Sequence, residues 1–166
     1  MRPDEAVVVA LGGNLAGDYA SCEALLEAAL ARFPQAELPV VARSSWWRSA
    51  AWPDPSAPEY RNGIAIVEAH AGPQAVLDAL LRIEAELGRE RGARNAPRTL
   101  DLDLIAYGRR VIQSPGLTLP HPRAHERLFV MGPLAEVLPD WRHPVLDRTA
   151  RDLAAEATVG LDARPV

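Results

Sequence analysis

A chain of 166 residues with 48% apolar content has room for one domain with a real core and too little for two, so residues 1–166 are expected to form a single domain with its core at about 6–140. The formal net charge is −4 and all 18 basic residues are arginine, which argues against a nucleic-acid binder and excludes a phosphate-loop lysine. Cys22 is the single cysteine, ruling out an internal disulfide and a multi-cysteine zinc site, while no apolar run has signal-peptide or membrane-spanning length, so a cytoplasmic protein is expected.

Ala6 to Leu11 is an uninterrupted apolar run of strand length, expected to be buried on both faces. It ends in Gly12-Gly13-Asn14-Leu15, suited equally to a plain strand-to-helix turn or to close approach of a ligand to the backbone. Leu26, Ala29, Leu30 and Phe33 mark the buried stripe of a helix over Tyr19 to Phe33, closed by Pro34. Val40 to Arg48 and Gly63 to Ala69 read as the next two strands. Between them, Ser49 to Asn62 carries Pro53, Pro55 and Pro58 and reads as a loop. Trp52 and Tyr60 lie in it, with Trp46 and Trp47 just before. Those rings suit stacking on a flat heterocycle and suit an apolar cover on the sheet equally well.

Gly72-Pro73 opens a second helix with Val76, Leu80, Ile83 and Leu87 on one stripe, stopped at Gly88, and Glu84 at the stripe's edge. A strand over Asp101 to Tyr107 follows, then a turn at Gly108 to Arg110, a short return at Val111-Ile112 and a turn at Ser114-Pro115-Gly116. His121 sits between Pro120 and Pro122, which suits presentation of an imidazole to phosphate and suits a structural role as well. A helical region runs on through Leu138, and Asp152 to Ala157 closes the pattern.

The chemistry concentrates between Glu84 and Ile105. From Leu100 the residues alternate Leu, Asp, Leu, Asp, Leu, the period of a strand with one open face, so Asp101 and Asp103 share that face. Their Cβ atoms are then about 7 Å apart, a span that lets two carboxylates converge on one hard cation or on a close pair. Arg82, Arg89, Arg91, Arg94 and Arg98 precede them, planar forks that match phosphate oxygens. Paired carboxylates beside clustered arginines point to phosphoryl or pyrophosphoryl transfer. A wet strand edge beside a solvated charged loop is the bland alternative.

Collinear motifs carry a resemblance. They are Ala10 to Leu15 (Ala-Leu-Gly-Gly-Asn-Leu), Ser44 to Arg48 (Ser-Ser-Trp-Trp-Arg), Tyr60-Arg61-Asn62, Arg82-Ile83-Glu84, Pro97-Arg98-Thr99-Leu100-Asp101-Leu102-Asp103, and Leu119-Pro120-His121-Pro122 through Phe129. In this order they closely resemble the 6-hydroxymethyl-7,8-dihydropterin pyrophosphokinase family of the folate pathway, over roughly Val7 to Leu138. The resemblance implies an α+β fold: a ferredoxin-like sandwich, mainly antiparallel, with a βαββαβ core and a C-terminal helical extension. It implies transfer of a pyrophosphoryl group from ATP to the hydroxymethyl oxygen of the reduced pterin, releasing AMP, by a protein expected to be a monomer and to bind neither nucleic acid nor membrane.

By motif position, Asp101 and Asp103 would hold two Mg²⁺ ions. Arg89 and Arg98 would steady the transferring group, with Arg91, His121 and Arg127 on the triphosphate and Glu84, Leu104 and Thr118 on the adenosine side. Ser49, Ala50, Trp52, Tyr60, Asn62 and Phe129 would form the pterin side. The chain departs from the family pattern at Ser49-Ala50-Ala51-Trp52, where Thr-Pro-Pro and an aliphatic residue are usual, at Gly13, where Ser is common, and at Asn95, where some members place Trp. The altered segment motivates an alternative reading, a pterin or nucleotide sensor without turnover.

Overall fold

The computed structural model describes residues 2–51, 54–88 and 100–166. Trp52, Arg89, Arg91, Arg94, Asn95 and Arg98 lie outside the described residues, so the expectations placed on them are not addressed by the geometry below.

The first strand, β1 (Val7–Gly13), sends Val7, Val9 and Leu11 to one face of the sheet and Val8 and Ala10 to the other. Helix α1 (Cys22–Arg32) starts later than its apolar stripe suggests, because Ser21 caps it by accepting the Ala24 N–H at 3.0 Å. The single strand expected over Val40 to Arg48 is two: β2 (Val40–Arg43) and β3 (Trp47–Ser49). Ser44 marks the break. Its hydroxyl, instead of a backbone carbonyl, accepts the Ile64 N–H at 2.9 Å, so the ladder is carried across by a side chain.

The third strand also begins earlier than expected. β4 (Tyr60–Val67) includes Tyr60, Arg61 and Asn62, which pair with Ser49, Arg48 and Trp47. The pairing is non-local and leaves no local pattern, which is why proline content alone put these residues in a loop. Helix α2 (Pro73–Gly88) and β5 (Asp101–Tyr107) follow the expected bounds.

The sheet order is β5-β1-β4 with β2 and β3 sharing the flank of β4, and every pairing is antiparallel. A β-α-β-β-α-β chain giving this order is the ferredoxin-like α+β sandwich. β5 carries one extra residue against β1: Val8 faces Ala106 and Val9 faces Leu104, leaving Ile105 unopposed. β6 (Ile112–Ser114) and β7 (Leu117–Leu119) form a separate hairpin.

Two cores result. On one face, Val9, Leu11, Ala65, Leu102 and Leu104 pack with Leu25, Leu26, Leu80 and Ile83 of α1 and α2. On the other, Val8, Ile64, Ile66 and Ile105 pack with α3 (Leu128–Val137) and α4 (Ala150–Glu156), around Met131, Leu134 and the fully buried Trp141. A short terminal strand, β8 (Arg164–Pro165), pairs with β3 and was not foreseen. No described helix is long and apolar enough to cross a membrane.

Candidate active site

The alternation of β5 has the expected outcome. Leu100, Leu102 and Leu104 are buried toward α1 and α2, while Asp101 and Asp103 are exposed on the α3 face. Opposite them on β1 stand Gly12 and Ala10, two residues too small to cover a carboxylate. Across the sheet, Asp101, Gly12, Asn62 and Trp47 form one continuous row in register. Asp101 and Asn62 are two strands apart, so their Cα atoms are about 10 Å from each other.

Gly12 is required in this row. A Cβ built on it would lie 2.4 Å from Oδ1 of Asn62, so only glycine lets the amide lie across β1. Ser49 is buried at the end of β3 directly opposite Tyr60, and Ala50 continues beyond it. Phe129 stands in the first turn of α3, with the Arg127 guanidinium 5.8 Å from its ring centre. Thus Ser49, Tyr60, Asn62 and Phe129 flank the same end of the α3 face that carries the two aspartates.

His121 joins the aspartate side. Its N–H donates to the Ile105 carbonyl at 2.8 Å, and its Nδ1 accepts the Arg123 N–H at 3.2 Å, leaving Nε2 as the nitrogen that carries a proton in the neutral ring. Burial pushes its pKa below the usual value. Asp103 pulls the other way, and Arg127, Arg123 and His125 add to the lowering. His121 thus feels the field of both Asp103 and Arg127.

The model of the 7,8-dihydro-6-hydroxymethylpterin-pyrophosphokinase (HPPK) family matches residues 8–139 of the chain. The chain belongs to this HPPK family. It is 43% identical over 143 residues to the Synechocystis 2-amino-4-hydroxy-6-hydroxymethyldihydropteridine pyrophosphokinase, covering 86% of this chain and 71% of that one. It is 38% identical over 159 residues to the Pseudomonas aeruginosa pyrophosphokinase of the same name, covering 96% of each. A crystal structure of Plasmodium falciparum HPPK-DHPS shares the fold with a TM-score of 0.72 at 13% identity, covering 91% of this chain. The chain spans 44% of the length of that structure's chain.

Within this HPPK fold the residues expected on the adenosine side are placed differently from one another. Leu104 is 5% exposed, its side chain packed into the α1–α2 core, so it offers little surface of its own. Thr118 is exposed on β7. Glu84 is buried on α2, and its Oε2 accepts the Leu102 N–H at 2.6 Å. It therefore fixes the segment of β5 between the two aspartates from the opposite side of the strand.

Among the described residues no group of three or more His, Cys, Asp or Glu forms a ready-made cage for a metal. Two exposed carboxylates on one face, offering oxygen alone, fit a hard cation that takes its remaining ligands from phosphate and water, as Mg²⁺ ordinarily does. The sequence marked Gly12 as a turn or close-approach glycine after the strand, whereas the structure keeps it inside β1, where the group that approaches is the Asn62 amide. Glu136 and Asp162, which brace this end of the molecule, gave no signal, because nothing local marks an acid that bonds to a distant backbone amide.

Proposed function

We propose that the α3 face at the Gly13 end of β1 is where a pyrophosphoryl group passes from ATP to the 6-hydroxymethyl oxygen of the dihydropterin, leaving AMP. HPPK-family membership makes the chain a diphosphate-transferring enzyme of folate synthesis; the assignment of individual residues is our reading. The observation that carries it is the shared open face of Asp101 and Asp103, set in the row that ends at Asn62.

In this reading Asp101 and Asp103 hold two Mg²⁺ ions, which when bound would neutralise the phosphate oxygens and ease approach of the hydroxyl. The chain's own groups supply the rest. His121 and Arg127 grip the triphosphate, and Arg89, Arg91 and Arg98 are assigned the same task by motif position, with Arg89 and Arg98 on the transferring group. Glu84, Leu104 and Thr118 are assigned to the adenosine side by motif position. Asn62 reads the amide-like edge of the pterin, Tyr60 and Phe129 enclose its faces, and Ser49 and Ala50 form its rim, with Trp52 assigned to the same side by motif position alone. Proximity is the main catalytic device, since holding acceptor and donor in line removes much of the barrier. We read residues 1–166 as one domain that acts as a monomer in the cytoplasm.

Incubation with ATP, Mg²⁺ and reduced hydroxymethylpterin tests the reading. AMP formed in step with the pterin diphosphate is expected, and AMP formation is expected to collapse in Asp103→Ala. ADP as product, binding of both substrates without AMP, or near-normal turnover by Asp103→Ala would overturn it.

A further inference from the structure

The C-terminal residues beyond the family match run back across the molecule to the proposed pterin side. Thr158 and Val159 donate their N–H groups to the Glu126 carbonyl at 3.0 and 2.9 Å, and the Val159 carbonyl accepts the Leu128 N–H at 2.9 Å, so the segment is bonded to the entry of α3. Five residues on, β8 pairs with β3 through Arg164 and Arg48, and the Val166 N–H reaches the Trp46 carbonyl at 3.0 Å. Between these anchors, Oδ2 of Asp162 accepts the Ala50 N–H at 2.7 Å. One strap thus joins the Phe129 flank to the Ser49–Ala50 flank.

Core burial does not explain the strap. Val159, Leu161 and Val166 are 44%, 65% and 67% exposed, and of its side chains only Ala163 is buried. Hydrogen bonds, a tight turn and one close contact define its path. Gly160 adopts φ +70°, and a Cβ there would lie 2.7 Å from Cδ1 of Phe129, so the strap presses its bare backbone on the ring. The Ala50 amide stands just past the end of β3, where no strand partner holds it, and the Asp162 carboxylate supplies a charge-assisted acceptor.

We infer that Asp162 and Gly160 are positioning residues for pterin binding: Asp162 fixes the Ser49–Ala50 rim and Gly160 sets the place of the Phe129 ring, so the strap holds the two flanks at the separation the heterocycle needs. This rests on the proposed placing of the pterin between those flanks. The strap meets the row that carries Asp101 only at its far end, where Pro165 pairs with Trp47 three strands away from the aspartate, so it acts on recognition of the acceptor and leaves ATP binding and turnover alone.

Steady-state kinetics on the full chain separates these effects. Asp162→Ala is expected to raise KM for the pterin roughly tenfold while kcat and KM for ATP stay within about twofold of the parent. Asp162→Asn keeps an acceptor oxygen and is expected to restore pterin KM. Gly160→Ala, which displaces Phe129, is expected to repeat the Asp162→Ala pattern and serves as the second variant should Asp162→Ala fold poorly. Asn62→Ala reports on the underlying placement. If it raises pterin KM and neither strap variant does, or if the strap variants lower kcat and weaken both substrates together with the melting temperature, the strap inference falls. If Asn62→Ala also leaves pterin KM unchanged, the placement of the pterin falls first and the strap inference with it.

Discussion

Oε2 of Glu84 lies 2.6 Å from the backbone nitrogen of Leu102, the residue between Asp101 and Asp103. Among the described residues β5 is the outermost strand of its sheet, and a buried carboxylate from α2 takes an amide on its outer edge. Glu84→Ala leaves that amide buried and unbonded, at an expected cost of about 1–3 kcal/mol in urea unfolding. It should also loosen the aspartate pair, raising the Mg²⁺ concentration needed for half-maximal AMP formation. Glu84→Gln keeps an oxygen acceptor and should recover much of both.

Gly12→Ala tests the row from its middle. The new Cβ would meet the Asn62 amide at 2.4 Å, and the strand backbone beneath it cannot yield cheaply. Asn62 must turn away. The expected result is a pterin KM raised about tenfold or more, against a small change in KM for ATP. Equal loss of affinity for both substrates would count against the assignment of Asn62.

Trp46 and Trp47 are neighbours that leave β3's start on opposite faces, and each indole N–H reaches a helix glutamate: Trp46 to Glu27 of α1 at 3.0 Å, Trp47 to Glu136 of α3 at 3.1 Å. Glu136 also accepts the Ser45 N–H at 2.6 Å and the Ser45 hydroxyl at 2.7 Å. Burial raises the Glu136 pKa, but these three donors outweigh it and hold the carboxyl below its usual value. Glu136→Ala should therefore destabilise the fold by about 1–2 kcal/mol and shift the tryptophan emission. Unchanged emission would mean that Trp47 does not depend on this contact.

His143 gives the protein an acid limit. Its side chain is buried beside Trp141 and His125, and its Nδ1 accepts the Val145 and Leu146 N–H groups at 3.2 and 3.1 Å. Burial first, then the neighbouring His125, lower its pKa from 6.5 to about 4. The unfolded chain binds this proton more readily than the folded one. Stability from this group is thus full above about pH 6.5 and is lost as pH falls toward 4, by about 2 kcal/mol at pH 5 and about 3 below pH 4. Urea unfolding at pH 7 and pH 5 measures it. His143→Gln should flatten that dependence, and an unaltered slope would remove His143 as its source.

The parts of this molecule that were legible in the sequence are those governed by local period. Leu100 to Leu104 placed Asp101 and Asp103 on one face, and Val76, Leu80, Ile83 and Leu87 placed α2. Tyr60 and Asn62 were misplaced in a loop because their strand exists through pairing with Trp47 and Ser49, which no window of β4 contains. The break at Ser44 was hidden for a similar reason: its hydroxyl enters the ladder only when Ile64 stands opposite. β8 spans two residues, Arg164 and Pro165, with no apolar alternation to betray it. Asp162 carries no signal of its own, since its partner is a backbone amide more than a hundred residues away.

The extra residue at Ile105 gives the two halves of β5 separate phases. Asp101 and Asp103 keep time with Gly12 and Ala10, whereas Tyr107 keeps time with Val7 and sends its hydroxyl to the Ala71 carbonyl at 2.5 Å. Straightening the ladder with Ile105 kept in it would force a choice: either Tyr107 abandons its anchor on the helix side, or both carboxylates swing into the apolar interior. With the bulge in place, the distal half of the strand can accept altered packing without re-aiming the half that carries the charge.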